Sequence, residues 1–207
     1  MMFSDRREAG RKLGGALGAR SGALILGIPR GGVIVACEAA GVSGGELDLI
    51  VTRKLGAPMN PELGIGAVAA DGTTVLDERL VRALGVSEQY LAKEVAEQIA
   101  EIHRRLDMYR RGRPPLEPAG RECVVVDDGI ATGGTAEVAL RSLRAQGGSK
   151  VLLAVPVAPA ESLERIRPYA DEVVCLSTPS PFAAVGQWYA RFDQVSDDEV
   201  LDALAAR

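Results

Sequence analysis

Residues 124–135 read VVVDDGIATGGT: three valines run into two adjacent aspartates, Asp127 and Asp128, and then into glycines and threonines. The valines are β-branched and apolar, the composition of a strand buried on both faces. Two neighbouring carboxylates repel each other, so their place at a strand end needs a compensating ligand, a diol or a bound cation. Behind them Gly129, Gly133 and Gly134 leave backbone N–H groups bare, and Thr132 and Thr135 add hydroxyls. Where such a loop opens a helix, its amides and the helix N-terminus together hold an anion. The stretch therefore asks for a ligand carrying a phosphate together with hydroxyls or a metal.

Three other readings compete. A P-loop would need a lysine where Thr135 stands, although Gly129 and Gly134 have the spacing. The dinucleotide fingerprint G-x-G-x-x-G is missing from the first strand–helix turn, which reads GIPRGG. An ordinary N-capping aspartate accounts for one acid, but not for two acids, two threonines and three glycines.

Working outward, apolar strands alternate with helical patterns. A helix over 5–19 with Ser4 as its cap precedes strand 23–29; a helix over 33–41 leads to strand 47–54. Residues 55–76 are rich in Gly and Pro, with ADGT at 70–73 a hairpin turn between short strands. Leu91, Val95, Ile99, Ile102, Leu106 and Tyr109 recur every three or four positions, so 87–111 is one long helix, ended by RPPLEP. Strand 122–127, helix 134–145, strand 151–158, helix 160–169 and strand 172–177 follow, and Ser196 with Glu199 forms a capping box for a last helix. This order predicts an α/β fold with a parallel-sheet core covered by helices on both faces. We expect a single domain over 1–207, a helical insertion over 77–111 and a C-terminal segment, 178–207, that helps to form a hood.

The 207 residues are 47% hydrophobic and carry a net charge of −4, which gives no sequence-wide positive field for nucleic acid or a membrane surface. No apolar run approaches the roughly 20 residues that span a bilayer, and the charged start MMFSDRREAGRK is unlike a signal peptide. A cytoplasmic protein is expected. Cys37, Cys123 and Cys175 lie far apart in apolar runs, which suits buried reduced thiols. His103, between charged residues of the long helix, is read as solvated.

The 124–135 stretch resembles the phosphoribosyl-pyrophosphate (PRPP) loop of the type I phosphoribosyltransferases, with Gly129 where an apolar side chain is commoner. Pro29-Arg30-Gly31-Gly32 resembles that family's pyrophosphate loop, and Arg53-Lys54 the basic pair often placed at the end of the second strand. The resemblance implies transfer of 5-phosphoribosyl from PRPP to a nitrogen acceptor, a nucleobase by preference, with release of pyrophosphate. It implies that Asp127 and Asp128 hold the ribose hydroxyls, and that Gly129, Ile130, Ala131, Thr132, Gly133, Gly134 and Thr135 hold the 5′-phosphate. Arg30, Gly31, Gly32, Arg53 and Lys54 would hold the leaving pyrophosphate, with Asp127, Asp128, Arg30 and Lys54 as the catalytic set. Mg²⁺ is implied too, held by PRPP oxygens and reached by Asp127 and Asp128 through water.

Ala131 stands where the 6-oxopurine members place an aspartate, which disfavours hypoxanthine and guanine. Phe182 and Trp188 are candidates to stack on the acceptor. The alternative is a PRPP-sensing regulator of the same fold without catalysis, and a third reading has the same fold with another phosphorylated ligand. The apolar stripe from Leu91 to Tyr109 is too long for the segment 77–84 to cover. We therefore expect a homodimer with the long helix at or beside the interface, and Arg110, Arg111 and Arg113 near an active-site mouth.

Overall fold

A computed structural model describes residues 2–206. In chain order the elements are α1 (Arg6–Leu17), β1 (Leu24–Gly27), α2 (Gly31–Ser43), β2 (Glu46–Leu49), β3 (Thr52–Ala57), β4 (Asn60–Ala69) and β5 (Thr74–Leu76). Then come α3 (Glu78–Ala83), α4 (Glu88–Arg110), β6 (Glu122–Val126), α5 (Gly134–Ala145), β7 (Lys150–Val157), α6 (Ala160–Ile166), β8 (Glu172–Ser177) and α7 (Asp197–Ala205).

Five strands form a parallel sheet in the order β2-β1-β6-β7-β8. Alternate side chains enter two separate cores, as strand geometry requires. Leu24, Leu26, Cys123 and Val125 pack with Ala136, Leu140 and Leu143 of α5. Ile25, Val124 and Val126 pack with Leu13 of α1 and Val35 and Ala39 of α2. Chain order reverses between β1 and β6: from β1 the chain crosses to β2 on one side, from β6 to β7 on the other. Such a switch point opens a crevice at the strands' C-terminal ends, where ligands bind in open α/β sheets.

The expected 47–54 strand is two strands. The chain leaves the parallel sheet after Leu49, and β3 starts at Thr52 in a separate antiparallel sheet, β3-β4-β5. The apolar run Leu49-Ile50-Val51 spans the break and hides this change, because either sheet accepts Ile and Val. The insertion between β2 and β6 is therefore larger than 77–111 and includes a three-stranded sheet. The hairpin at 70–73 lies where it is expected, between β4 and β5.

That sheet also covers the α4 stripe. Ile102 and Tyr109 are fully buried, and Leu91, Val95, Ile99 and Leu106 pack beside them on Leu55, Ile65 and Val68 of the sheet and on Val200 and Leu204 of α7. The chain itself thus covers much of the stripe, burying Ile102 and Tyr109 and leaving Leu91, Val95, Ile99 and Leu106 half-buried. Arg110 pairs with Asp48 of β2 at 3.4 Å, and Arg113 donates to the Leu204 carbonyl.

Asp5, not Ser4, caps α1, accepting from the Glu8 amide at 2.9 Å. The Ser196–Glu199 capping box forms as expected. Phe3 pairs with Tyr189 in a short parallel bridge, which joins the two ends of the chain. Cys37 and Cys123 are buried and Cys175 half-buried, all free. Among the described residues no helix is long and apolar enough to cross a membrane.

Candidate functional site

The turn Ile28–Arg30 leads from β1 into α2, with a cis bond between Pro29 and Arg30, and the loop Asp127–Gly133 leads from β6 into α5. The two meet across the switch point. A Cβ on Gly31 would overlap the Asp128 carboxylate, and one on Gly32 would stand 2.7 Å from the Val126 carbonyl oxygen and 2.9 Å from Asp127 Cα. The glycines therefore do more than bare their amides: they let the two turns pack against each other.

α1, α3, α4 and α7 each have an aspartate or serine N-cap whose side chain accepts an amide hydrogen bond. α2 and α5, which open onto the crevice, have none, and neither has the short α6, which Pro159 precedes. Gly133 is left-handed at φ 85°, which suits glycine, and space is open where a Gly134 side chain would project. Apart from the Val33 amide, which donates to the Arg30 carbonyl at 3.2 Å, the first-turn amides of α2 and α5 remain for an anion.

Of the predicted loop residues, Ile130 is a core residue instead of a ligand contact. Its side chain is buried, and its amide donates to the Val157 carbonyl at 3.0 Å. Gly129 is explained by Val185, whose methyl group would lie 2.5 Å from an added Cβ. Ala131 and Thr132 are exposed, braced by α6: Ser162 donates to the Ala131 carbonyl at 2.6 Å and Arg165 to the Thr132 carbonyl at 2.7 Å.

The acidic pair sits half-buried. Asp127 Oδ1 accepts the Asp128 amide at 2.8 Å. Asp128 Oδ2 accepts from Arg6 Nε at 2.7 Å, and Tyr189 donates its hydroxyl to the Asp128 main-chain carbonyl. Burial, then the neighbouring Asp128 charge, pushes the Asp127 carboxyl well up. Burial also raises Asp128, opposed by the Arg6 hydrogen bond. One oxygen of each aspartate, Asp127 Oδ2 and Asp128 Oδ1, has no hydrogen-bond partner among the described residues. Arg6, Ser162 and Arg165 escape sequence reading because the fold, not local spacing, brings them here; Tyr189, in the aromatic Gln187-Trp188-Tyr189 run that suggests acceptor stacking, instead braces the Asp128 main chain. The pattern SDRREAGRK marks Arg6 only as one of several helix charges.

Arg30 is one-third exposed at the head of α2, 4.0 Å from Asp197 of α7. Arg53 and Lys54 lie on β3, not at the end of a core strand, and as neighbours in a strand they project to opposite faces. Arg53 Nε donates to Gln98 on α4 at 3.0 Å; Lys54 Nζ donates to the Glu62 carbonyl at 2.6 Å. Both are thus engaged inside the insertion. Phe182 lines a cavity of about 500 Å³ with Ala131, Thr132, Pro159 and Thr178. Trp188 stacks behind Phe182 at 6.2 Å and is half-buried.

No group of three or more metal-ligating side chains exists among the described residues. An ion here would find at most the two aspartates, with Asp128 already paired to Arg6, and would need its remaining oxygens from the ligand and water.

A parallel sheet with an acidic pair and two uncapped helices at its switch point defines a type I phosphoribosyltransferase fold. The model of the phosphoribosyl transferase domain matches residues 12–190, and the chain belongs to that family. A Mycobacterium tuberculosis H37Rv protein, named provisionally as a phosphoribosyl transferase, is 48% identical over 205 residues, covering 98% of this chain and 46% of that protein. The chain thus spans just under half the length of this curated relative. The crystal structure of TT1426 from Thermus thermophilus superposes with a TM-score of 0.85 at 45% identity, covering 100% of this chain and 99% of that one. A uracil phosphoribosyltransferase from Lactobacillus delbrueckii subsp. bulgaricus is 40% identical over 53 residues, 26% of this chain and 25% of that protein.

Proposed function

We propose that the protein transfers 5-phosphoribosyl from PRPP to a nitrogen acceptor and releases pyrophosphate. The observation that carries this reading is the crevice itself: two uncapped helix N-termini flank an acidic pair with one unpartnered oxygen on each carboxylate. That spacing of functions suits a pyrophosphate at α2, a 5′-phosphate at α5 and a ribose diol between them.

The α5 amides, with Thr132 and Thr135, anchor the 5′-phosphate. Asp127 and Asp128 accept from the ribose hydroxyls and stabilise positive charge on the ring as the bond from C1 to pyrophosphate breaks. Arg30 and the Gly31 and Gly32 amides stabilise the negative charge on the departing pyrophosphate. Catalysis then rests on positioning and fixed charge, not on a covalent nucleophile. Mg²⁺ brought in on PRPP, reached through water by Asp127 and Asp128, would supply further neutralisation of the pyrophosphate. The cavity beside Ala131 and Phe182 receives the acceptor. A nucleobase that needs no carboxylate at position 131 fits it, and the local likeness to a uracil enzyme supports a pyrimidine.

Incubation with PRPP, Mg²⁺ and a panel of nucleobases and small amines tests this, with pyrophosphate release as the readout. Release with at least one acceptor is expected. PRPP binding without release from any of them would favour a sensor; no PRPP binding would sink both readings.

The corrected placement of the basic residues makes a second test. Arg30→Ala is expected to lower kcat/KM for PRPP by about a hundredfold or more, the loss typical of a missing transition-state donor. Lys54→Ala should stay within about fivefold of the wild type, as expected for a half-exposed surface cation. Equal losses in the two variants would return Lys54 to the pyrophosphate.

A further inference from the structure

Asp128 has a partner that the transfer chemistry leaves unexplained. Arg6 is the first residue of α1, and three contacts fix its guanidinium. Nε donates to Asp128 Oδ2 at 2.7 Å, Nη1 donates to the Asp193 carbonyl at 2.8 Å, and the guanidinium carbon lies 3.8 Å from the centre of the Phe192 ring. Only 12% of its side chain is exposed. A mobile surface arginine gains little from a carboxylate; this one is held by three contacts within the chain, and a planar guanidinium stacked on an aromatic ring is a rigid donor.

Among the described residues, Arg6 is the single cation that pairs with either aspartate. Arg30, at the head of α2, leans toward Asp197 instead. Arg6 also takes only one of the four carboxylate oxygens. The Asp128 amide takes a second, Asp127 Oδ1, which leaves one oxygen on each aspartate. Two acceptors remain for two ribose hydroxyls.

We infer that Arg6 is a positioning residue of the PRPP site. It holds the Asp128 carboxylate against Gly31 and cancels one of two adjacent negative charges, so that the ribose meets an oriented pair of acceptors. Without it, repulsion from Asp127 turns the Asp128 carboxylate out of place. Arg6 also makes the site depend on both chain ends, because its other two anchors, Phe192 and Asp193, lie in the C-terminal segment.

This inference rests on the PRPP reading, and a double-mutant cycle separates the two. Mg²⁺–PRPP affinity is measured by calorimetry on the wild type, Arg6→Gln, Asp128→Asn and the double variant. Arg6→Gln is expected to weaken binding at least about tenfold, the scale of a lost hydrogen bond to a charged group. In the Asp128→Asn background the same change should alter affinity by less than about twofold, since a residue acting through Asp128 has nothing left to position. Arg6→Lys, which keeps the charge but not the fork, should recover part of the loss.

Arg191→Gln serves as a control. It breaks the Arg191–Asp5 pair at the same junction of chain ends and should leave affinity within about twofold of the wild type. Should Arg6→Gln fail to fold, Arg6→Lys in both backgrounds carries the cycle. Equal losses with and without Asp128, or wild-type affinity in Arg6→Gln, would overturn the positioning role. A wild-type protein that does not bind PRPP would instead overturn the reading beneath it.

Discussion

Asp127→Asn and Asp128→Asn are each expected to reduce phosphoribosyl transfer by about two to three orders of magnitude, the usual loss when a group facing developing charge is removed. Their stabilities should move by different amounts, with Asp127→Asn gaining the more. Asp127 has no cation of its own; burial and the Asp128 charge both disfavour its ionised form. Its folded pKa therefore lies above the unfolded value, so the folded state holds a proton that the unfolded state releases as pH rises. The resulting destabilisation is absent below about pH 4, the ordinary carboxyl range, grows through the folded pKa and is complete above it. Asn removes that penalty, so the melting temperature of ligand-free Asp127→Asn should exceed the wild type's at neutral pH and match it in acid.

Asp128 differs because Arg6 pairs with it where both side chains are mostly buried. Burial still raises the Asp128 carboxyl, so Asn removes a penalty here too, but it also leaves the guanidinium without its counter-charge, which offsets that gain by about 1–3 kcal/mol. Thermal unfolding at neutral and acidic pH, beside pyrophosphate release, checks both variants. Equal stability changes would mean that Arg6 does not distinguish the two carboxylates, and near-normal turnover in either would remove that aspartate from the chemistry.

The contrast between those aspartates marks what was legible in the sequence. The strand, the acidic pair and the α5 start at Gly134 follow from local chemistry: β-branched residues before the acids, small residues after them. The capping box at Ser196 is likewise local. The misassigned strand at 47–54 shows the limit of such patterns, since an apolar run followed by Arg53 and Lys54 fits one strand as well as two. The α4 periodicity located a helix with one apolar face but could not name what covers it. The answer, β3 and β4 with α7, requires contacts between segments up to about a hundred residues apart. Arg6 is the same case in the site itself: 122 positions separate it from Asp128, and contacts between the N- and C-terminal segments, the Phe3–Tyr189 bridge among them, draw the two to the crevice.

Glycines at the site divide into two kinds, and alanine substitutions should separate them. Gly32 is the second residue of α2, where alanine would ordinarily favour the helix by about 1 kcal/mol. Its added Cβ, however, would meet the Val126 carbonyl and the Asp127 Cα, both main-chain atoms that cannot rotate away. Overpacking of that kind costs about 1–3 kcal/mol, enough to reverse the helix preference. Relief requires β6 and the Asp127–Asp128 turn to shift, and displacements near 1 Å at a site reduce turnover by about a hundredfold. Gly32→Ala should therefore lose both stability and turnover. Gly134 is the first residue of α5, with nothing within 4 Å of an added Cβ. Gly134→Ala should keep or gain up to about 1 kcal/mol of stability, yet weaken PRPP binding about tenfold or more by filling the space in front of the α5 amides. Chemical denaturation and PRPP calorimetry on the two variants give four values. A Gly134→Ala protein that binds PRPP as the wild type does would move the phosphate away from α5, whereas a stable, active Gly32→Ala would show that the two turns need not touch.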